Sequence, residues 1–196
     1  MEHQTHKGWH SRGYLPHLDA ANEIQSITFR LADALPKSLV NSWKKELATA
    51  PSLKETQKKI LQQRIAKFED AGHGACLLRE PLCANIVQGA LLYFHPERYR
   101  LIEWCIMPNH VHVLLHFPHG TRVGKAVGSW KDFTCSRINE AFERKGQLWA
   151  EDYHDRYIRN EEHLHNARSY LRNNPVKAGL CAKPEDWPWG SAGYVS

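Results

Sequence analysis

Two apolar runs, at 98–106 and 110–117, are separated by Met107-Pro108-Asn109 alone. A connection this short, made of turn-favouring residues, predicts that the runs pair as an antiparallel hairpin. The second run is apolar on both faces, which suits an inner strand of a sheet. Such a hairpin needs further strands beside it. One is predicted at 24–31, where Gln25, Ile27, Phe29 and Leu31 alternate with Ile24, Ser26, Thr28 and Arg30; another, with a polar face, is predicted at 153–159. Helices fall between them: one opening at Pro81, which suits a first-turn position, and a long one at about 122–144. A last helix follows Asn160 as its cap, with Glu161 and Glu162 in the first turn where the helix dipole prefers negative charge. The order is β-α-β-β-α-β plus one helix. This predicts an α+β fold with a ferredoxin-like (split βαβ) antiparallel sheet and an extra C-terminal helix.

A chain of 196 residues, 42% hydrophobic, can bury one core, so a single domain spanning 1–196 is expected. Two segments stand outside the plan. Residues 1–22 are basic and aromatic and suit an extended arm. Residues 37–74 predict a helical insert of two helices split near Pro51, with Ser52 and Glu55 as a capping box and Ile60, Leu61, Ile65 and Phe68 as the apolar stripe of the second. Its lysines and arginines either meet a phosphate backbone or form a solvated face. Over the whole chain, 26 Lys and Arg against 21 Asp and Glu give a formal charge of +5, which favours a polyanionic partner. The five cysteines are odd in number and never closer than seven residues apart, so neither a disulfide framework nor a C-x-x-C zinc clip is expected. No stretch reaches the roughly 18 apolar residues that span a bilayer, and a reduced, cytoplasmic location without membrane contact is expected.

His110 and His112 stand two apart on the inner strand, so both imidazoles project from one side within reach of one metal ion. The pair alone fits two hydrogen-bonded structural histidines as well. A histidine-triad hydrolase is disfavoured, because Leu114 occupies the third alternate place and His116 comes one step late.

Met107-Pro108-Asn109-His110-Val111-His112-Val113-Leu114-Leu115 resembles the His-hydrophobic-His signature of HUH transposases. Tyr170-Leu171-Arg172-Asn173-Asn174-Pro175-Val176-Lys177-Ala178-Gly179-Leu180 resembles their nucleophile helix, in which a tyrosine is followed four residues later by a polar ligand. Arg12-Gly13-Tyr14-Leu15-Pro16-His17, Ser129-Trp130-Lys131-Asp132-Phe133-Thr134, Asp155-Arg156-Tyr157-Ile158-Arg159 and Pro184-Glu185-Asp186-Trp187-Pro188-Trp189 are similar to the REP-associated branch. The chain thus resembles the REP-associated tyrosine transposases, within the single-tyrosine HUH superfamily.

The resemblance implies Tyr170 as nucleophile, a divalent cation (Mg²⁺ or Mn²⁺) on His110, His112 and Asn174, and single-stranded hairpin DNA cut and rejoined through a 5′-phosphotyrosine. Residues i and i+4 of a helix share a face, which suits Tyr170 and Asn174; Pro175 is expected to place Asn174 at the helix end, with Asn173 as the alternative ligand. Expected DNA contacts are Arg12, Lys131, Arg156, Arg159, Arg168, Arg172 and Lys177, with base stacking by Trp187 or Trp9. Trp187 also suits a core cap. A non-catalytic protein that binds single-stranded DNA or RNA hairpins is the rival reading. A monomer acts in cis, whereas exchange of the last helix makes a homodimer acting in trans.

Overall fold

The computed structural model describes residues 8–11, 16–19, 22–50, 53–118 and 122–194. Arg12 lies outside them, as does Ser52, and nothing is described of the Trp9 side chain. The elements in chain order are β1 (Gly8–Ser11), β2 (Pro16–Asp19), β3 (Ile24–Arg30), α1 (Lys37–Thr49), α2 (Lys54–Asp70), α3 (Pro81–Tyr93), β4 (Arg100–Ile106), β5 (His110–His116), α4 (Val123–Ala141), β6 (His154–Tyr157) and α5 (Glu161–Lys177). Short 3-10 turns lie at Leu77–Arg79 and Pro184–Asp186. No helix among the described residues is long and apolar enough to cross a membrane.

Four strands form one antiparallel sheet in the order β4-β5-β3-β6, the ferredoxin-like arrangement, with β5 inside as its two apolar faces require. Near the N-terminus, β1 and β2 pair as a separate antiparallel ribbon. The two faces of the sheet have different work. Ile27 and Phe29 of β3 and Val111, Val113 and Leu115 of β5 face α3 and α4 in the main core. Thr28 and Arg30 stand opposite His112 and His110 on the other face, where Leu114 packs with Leu171, Leu164 and Ala167 of α5.

Polar atoms in the main core are satisfied in a chain. Trp130 Nε1 donates to the Tyr99 hydroxyl at 2.9 Å, and that hydroxyl donates to the Leu91 carbonyl at 2.8 Å. Trp149 Nε1 donates to Thr134 Oγ1 at 2.8 Å, and Thr134 donates back to the Trp130 carbonyl at 2.6 Å. Each buried donor left unmade would cost about 1–3 kcal/mol.

Two local expectations are corrected. α2 begins after Leu53 in the N-cap position with no side-chain cap, so the Ser52–Glu55 box does not describe its start. α5 continues through Pro175 to Lys177, so Asn174 lies within the helix and not at its end. The bias that proline imposes on its predecessor is outweighed by packing, because Leu171, Asn174 and Pro175 are all buried. Asn160 does cap α5, its Oδ1 accepting from His163 N at 2.8 Å.

Beyond α5 the chain returns to cover the open edge of β4. Ile106 N donates to the Trp189 carbonyl and Ser191 N to the Trp104 carbonyl, both at 2.9 Å. Gly193 permits the turn that follows, because a Cβ there would lie 2.7 Å from the Glu185 carbonyl oxygen.

Candidate metal and nucleophile site

His110 and His112 project from β5 on the α5 face and are 0% and 5% exposed. Their Nε2 atoms lie 2.9 Å apart. The outer nitrogens are fixed by neighbours: His110 Nδ1 meets Asn109 Oδ1 at 2.7 Å, and His112 Nδ1 meets Thr28 Oγ1 at 2.8 Å. The first contact sets a tautomer. Asn109 Nδ2 donates to the His73 carbonyl at 2.9 Å, a group that can only accept, so Asn109 Oδ1 must accept from His110 Nδ1–H. His110 Nε2 then carries the ring's lone pair, aimed into the site toward His112 Nε2. Burial drives the His110 pKa well down, helped by the neighbouring His112, which keeps the ring neutral.

Asp70, the last residue of α2, closes the site from the insert. Its Oδ1 lies 3.5 Å from His110 Nε2 and 4.0 Å from His112 Nε2. The three donor atoms form a triangle of the size expected around an ion bound at roughly 2.0–2.2 Å. Nitrogen and carboxylate donors suit a divalent cation, so the residues present fit the group that the sequence implies. Burial alone would raise the Asp70 carboxyl, but His112, His110 and the Tyr170 hydroxyl together hold it below the ordinary range.

Tyr170 comes from α5, its ring 5.4 Å from that of His112. Its hydroxyl donates to Asp70 Oδ2 at 3.1 Å. Burial, and then the Asp70 charge, push the phenol well above its ordinary pKa. Asn174, one turn on and 1% exposed, points its Nδ2 at Asp70 Oδ1 across 3.5 Å. In that orientation it offers a donor; rotation of the amide would offer the oxygen. Asn173 turns away and donates to the Ser169 carbonyl at 2.8 Å. The helix that carries this pair is tied to the sheet by Glu103, a fully buried carboxylate of β4. It accepts from Arg168 Nε at 2.8 Å, from Arg172 Nε at 3.1 Å and Nη2 at 2.8 Å, and from the Ser191 hydroxyl. Burial would raise Glu103, and these bonds outweigh it.

The structure therefore brings together His110, His112, Tyr170 and Asn174, and adds Asp70, Glu103, Asn109 and Thr28, which the sequence reading did not single out. The expected DNA contacts separate. Arg156, Arg159 and Lys177 are exposed, with Lys177 Nζ 5.6 Å from the Tyr170 ring centre. Arg168 and Arg172 are half-exposed but engaged with Glu103. Lys131 is turned inward and donates to the carbonyls of Ala150, Glu151 and Asp152 at 2.9, 3.2 and 3.3 Å, so its ammonium serves the chain itself. Trp187 is 8% exposed, packs on Cys105 and Met107, and donates from Nε1 to the Ile106 carbonyl at 3.1 Å; its ring faces are in the core and not offered to a base.

Residues 92–174 match the family described as Transposase IS200 like. That span holds His110, His112, Tyr170 and Asn174 and leaves out α2 with Asp70. A Haemophilus influenzae protein, described as a candidate REP-associated tyrosine transposase, is 27% identical over 103 residues; the match covers 47% of this chain and 58% of that protein. A solved structure of a REP-associated tyrosine transposase bound to a REP hairpin aligns with a TM-score of 0.55 at 16% identity, over 93% of this chain and 81% of the other, a likeness of fold. Residues 92–174 are thus similar to the IS200-like transposases, and the resemblance to the REP-associated tyrosine transposases is borne out.

Proposed function

We propose that this chain is a metal-dependent single-stranded DNA endonuclease and strand transferase that acts on hairpin-forming DNA through Tyr170. The observation that carries the reading is convergence: a tyrosine hydroxyl, two buried imidazoles with facing nitrogens, and an amide meet on one face of the sheet. The hairpin substrate is inferred from the likeness of fold to a relative bound to a REP hairpin, together with the formal charge of +5.

His110 and His112 hold the cation, with Asn174 within reach of the same place. Mg²⁺ or Mn²⁺, when bound, offsets charge on the target phosphate and makes it more electrophilic. Tyr170 supplies the nucleophilic oxygen: a bond forms between its Oη and phosphorus, the bond to the 3′-oxygen breaks, and the phenolic proton ends on the released 3′-hydroxyl. The 5′-phosphotyrosine keeps the ester energy, so attack by another 3′-hydroxyl rejoins the strand without ATP. α5 presents Tyr170 rigidly because Glu103 anchors it through two arginines. The exposed Arg156, Arg159 and Lys177 supply phosphate contacts. Arg12 is proposed to join them.

Incubation with labelled single-stranded hairpin DNA and Mn²⁺, then a denaturing protein gel, tests this. Wild type is expected to carry the label, and Tyr170→Phe or excess EDTA to abolish it. Tight binding with no adduct on any hairpin would instead support the non-catalytic binding protein.

A further inference from the structure

The insert has an end that is held with unusual care for a peripheral element. Glu69 pairs with Arg30 at 3.2 Å, the His73 carbonyl accepts from Asn109 at 2.9 Å, Ala75 N donates to Asp33 Oδ2 at 2.7 Å, and Leu78 N donates to the Pro108 carbonyl at 3.1 Å. Arg30 ends β3 opposite His110, and Pro108 and Asn109 form the turn that leads into the histidine pair on β5. Asp70 stands in the middle of these ties. Its two oxygens face different groups, Oδ1 the imidazoles and Oδ2 the Tyr170 hydroxyl.

We propose that Asp70 is the third protein ligand of the cation through Oδ1, and that through Oδ2 it aligns the Tyr170 hydroxyl beside that cation. This rests on the reading of His110 and His112 as a cation-binding pair. Two neutral imidazoles alone make a poor set for a hard divalent ion, and a carboxylate oxygen supplies both the donor type and the charge that Mg²⁺ or Mn²⁺ favours. Asn174 then acts as a brace, its amide nitrogen donating to Oδ1 at 3.5 Å. The helical insert, which lies outside the span matched to the transposase family, is on this account part of the active centre.

The test is calorimetric titration of Mn²⁺ alone into the full chain stripped with EDTA. Asp70→Asn is expected to weaken binding about tenfold or more, as is His110→Ala. Asp70→Ser serves as a second variant, and unfolding midpoints measured in EDTA identify any variant that has lost its fold. Unchanged affinity in folded Asp70 variants, with loss in His110→Ala, overturns the role of Asp70 and leaves the histidine pair standing. Unchanged affinity in His110→Ala as well, or no Mn²⁺ binding by wild type, overturns both. For Oδ2, a double-mutant cycle of Asp70→Ala with Tyr170→Phe in EDTA is expected to show a coupling of about fivefold in the unfolding constant. Strict additivity overturns the alignment of Tyr170.

Discussion

Glu103→Gln tests how α5, the helix that carries Tyr170, is held. The native carboxylate is 0% exposed and accepts three N–H bonds from Arg168 and Arg172, with a fourth bond from Ser191. Hydrogen bonds to a charged group contribute about 1.5–3 kcal/mol each. Both arginine side chains are 45% exposed, however, and recover water once released, so only part of that sum is lost. All three arginine bonds end on Oε1 and the Ser191 bond on Oε2, so glutamine can keep a neutral acceptor oxygen toward the arginines while its amide N–H₂ faces Ser191. The expected loss is about 2–3 kcal/mol, at or below the ~3–5 kcal/mol for a fully buried pair deprived of one partner. The pH dependence has a definite sign. Because the folded Glu103 pKa is depressed, its contribution is complete above the unfolded value and disappears as pH falls through the lower folded one. Urea unfolding followed by circular dichroism, from about pH 7 down to about pH 3, is the assay. The variant should be weaker at neutral pH, and its difference from wild type should shrink in acid. A loss under about 0.5 kcal/mol, with the same acid limb as wild type, would refute the reasoning.

Three further outcomes follow from the geometry. Lys131→Met should cost about 1–3 kcal/mol in urea unfolding, because three carbonyls of 150–152 lose their donor; a large fall in DNA affinity without a change in stability would make it a phosphate contact instead. Trp187→Ala should destabilise by about 3–5 kcal/mol while hairpin binding per folded molecule, read by fluorescence anisotropy, stays unchanged. Asn109→Ala should lower Mn²⁺ affinity by about 10–100-fold in calorimetry, since it frees the His110 tautomer; equal affinity would show that the tautomer is set elsewhere.

The sheet was legible because its signals are local and periodic. A three-residue turn between two apolar runs leaves the chain little choice but a hairpin, and the doubly apolar second run could only be an inner strand. Local rules failed where distant packing outweighed them. Pro175 should have ended α5, yet the buried side chains around it keep the helix running. The capping box at Ser52 had the right letters, yet α2 starts one residue later. The covering of the β4 edge by 189–191 had no sequence period to announce it, which is why Trp187 stayed open between core cap and base stacker.

The site divides in the same way. His110 and His112 are readable from a period of two, and Tyr170 with Asn174 from a helical step of four, because each pair sits within one element. Asp70 lies 40 residues before His110 and 100 before Tyr170, and no periodicity connects them. A weaker signal was nevertheless present. Glu69 and Asp70 close α2 with two carboxylates, where the helix dipole prefers cations and like charges repel. Glu103 likewise puts a charge in the middle of an apolar strand, where burial without a partner is costly. Each breaks a local rule by an amount that something else in the fold must offset. Arg30 and the two histidines supply the offset for the first, and two arginines of α5 for the second. A charge that its own element disfavours points to a partner outside that element, and here both such charges lead to the face on which Tyr170 stands.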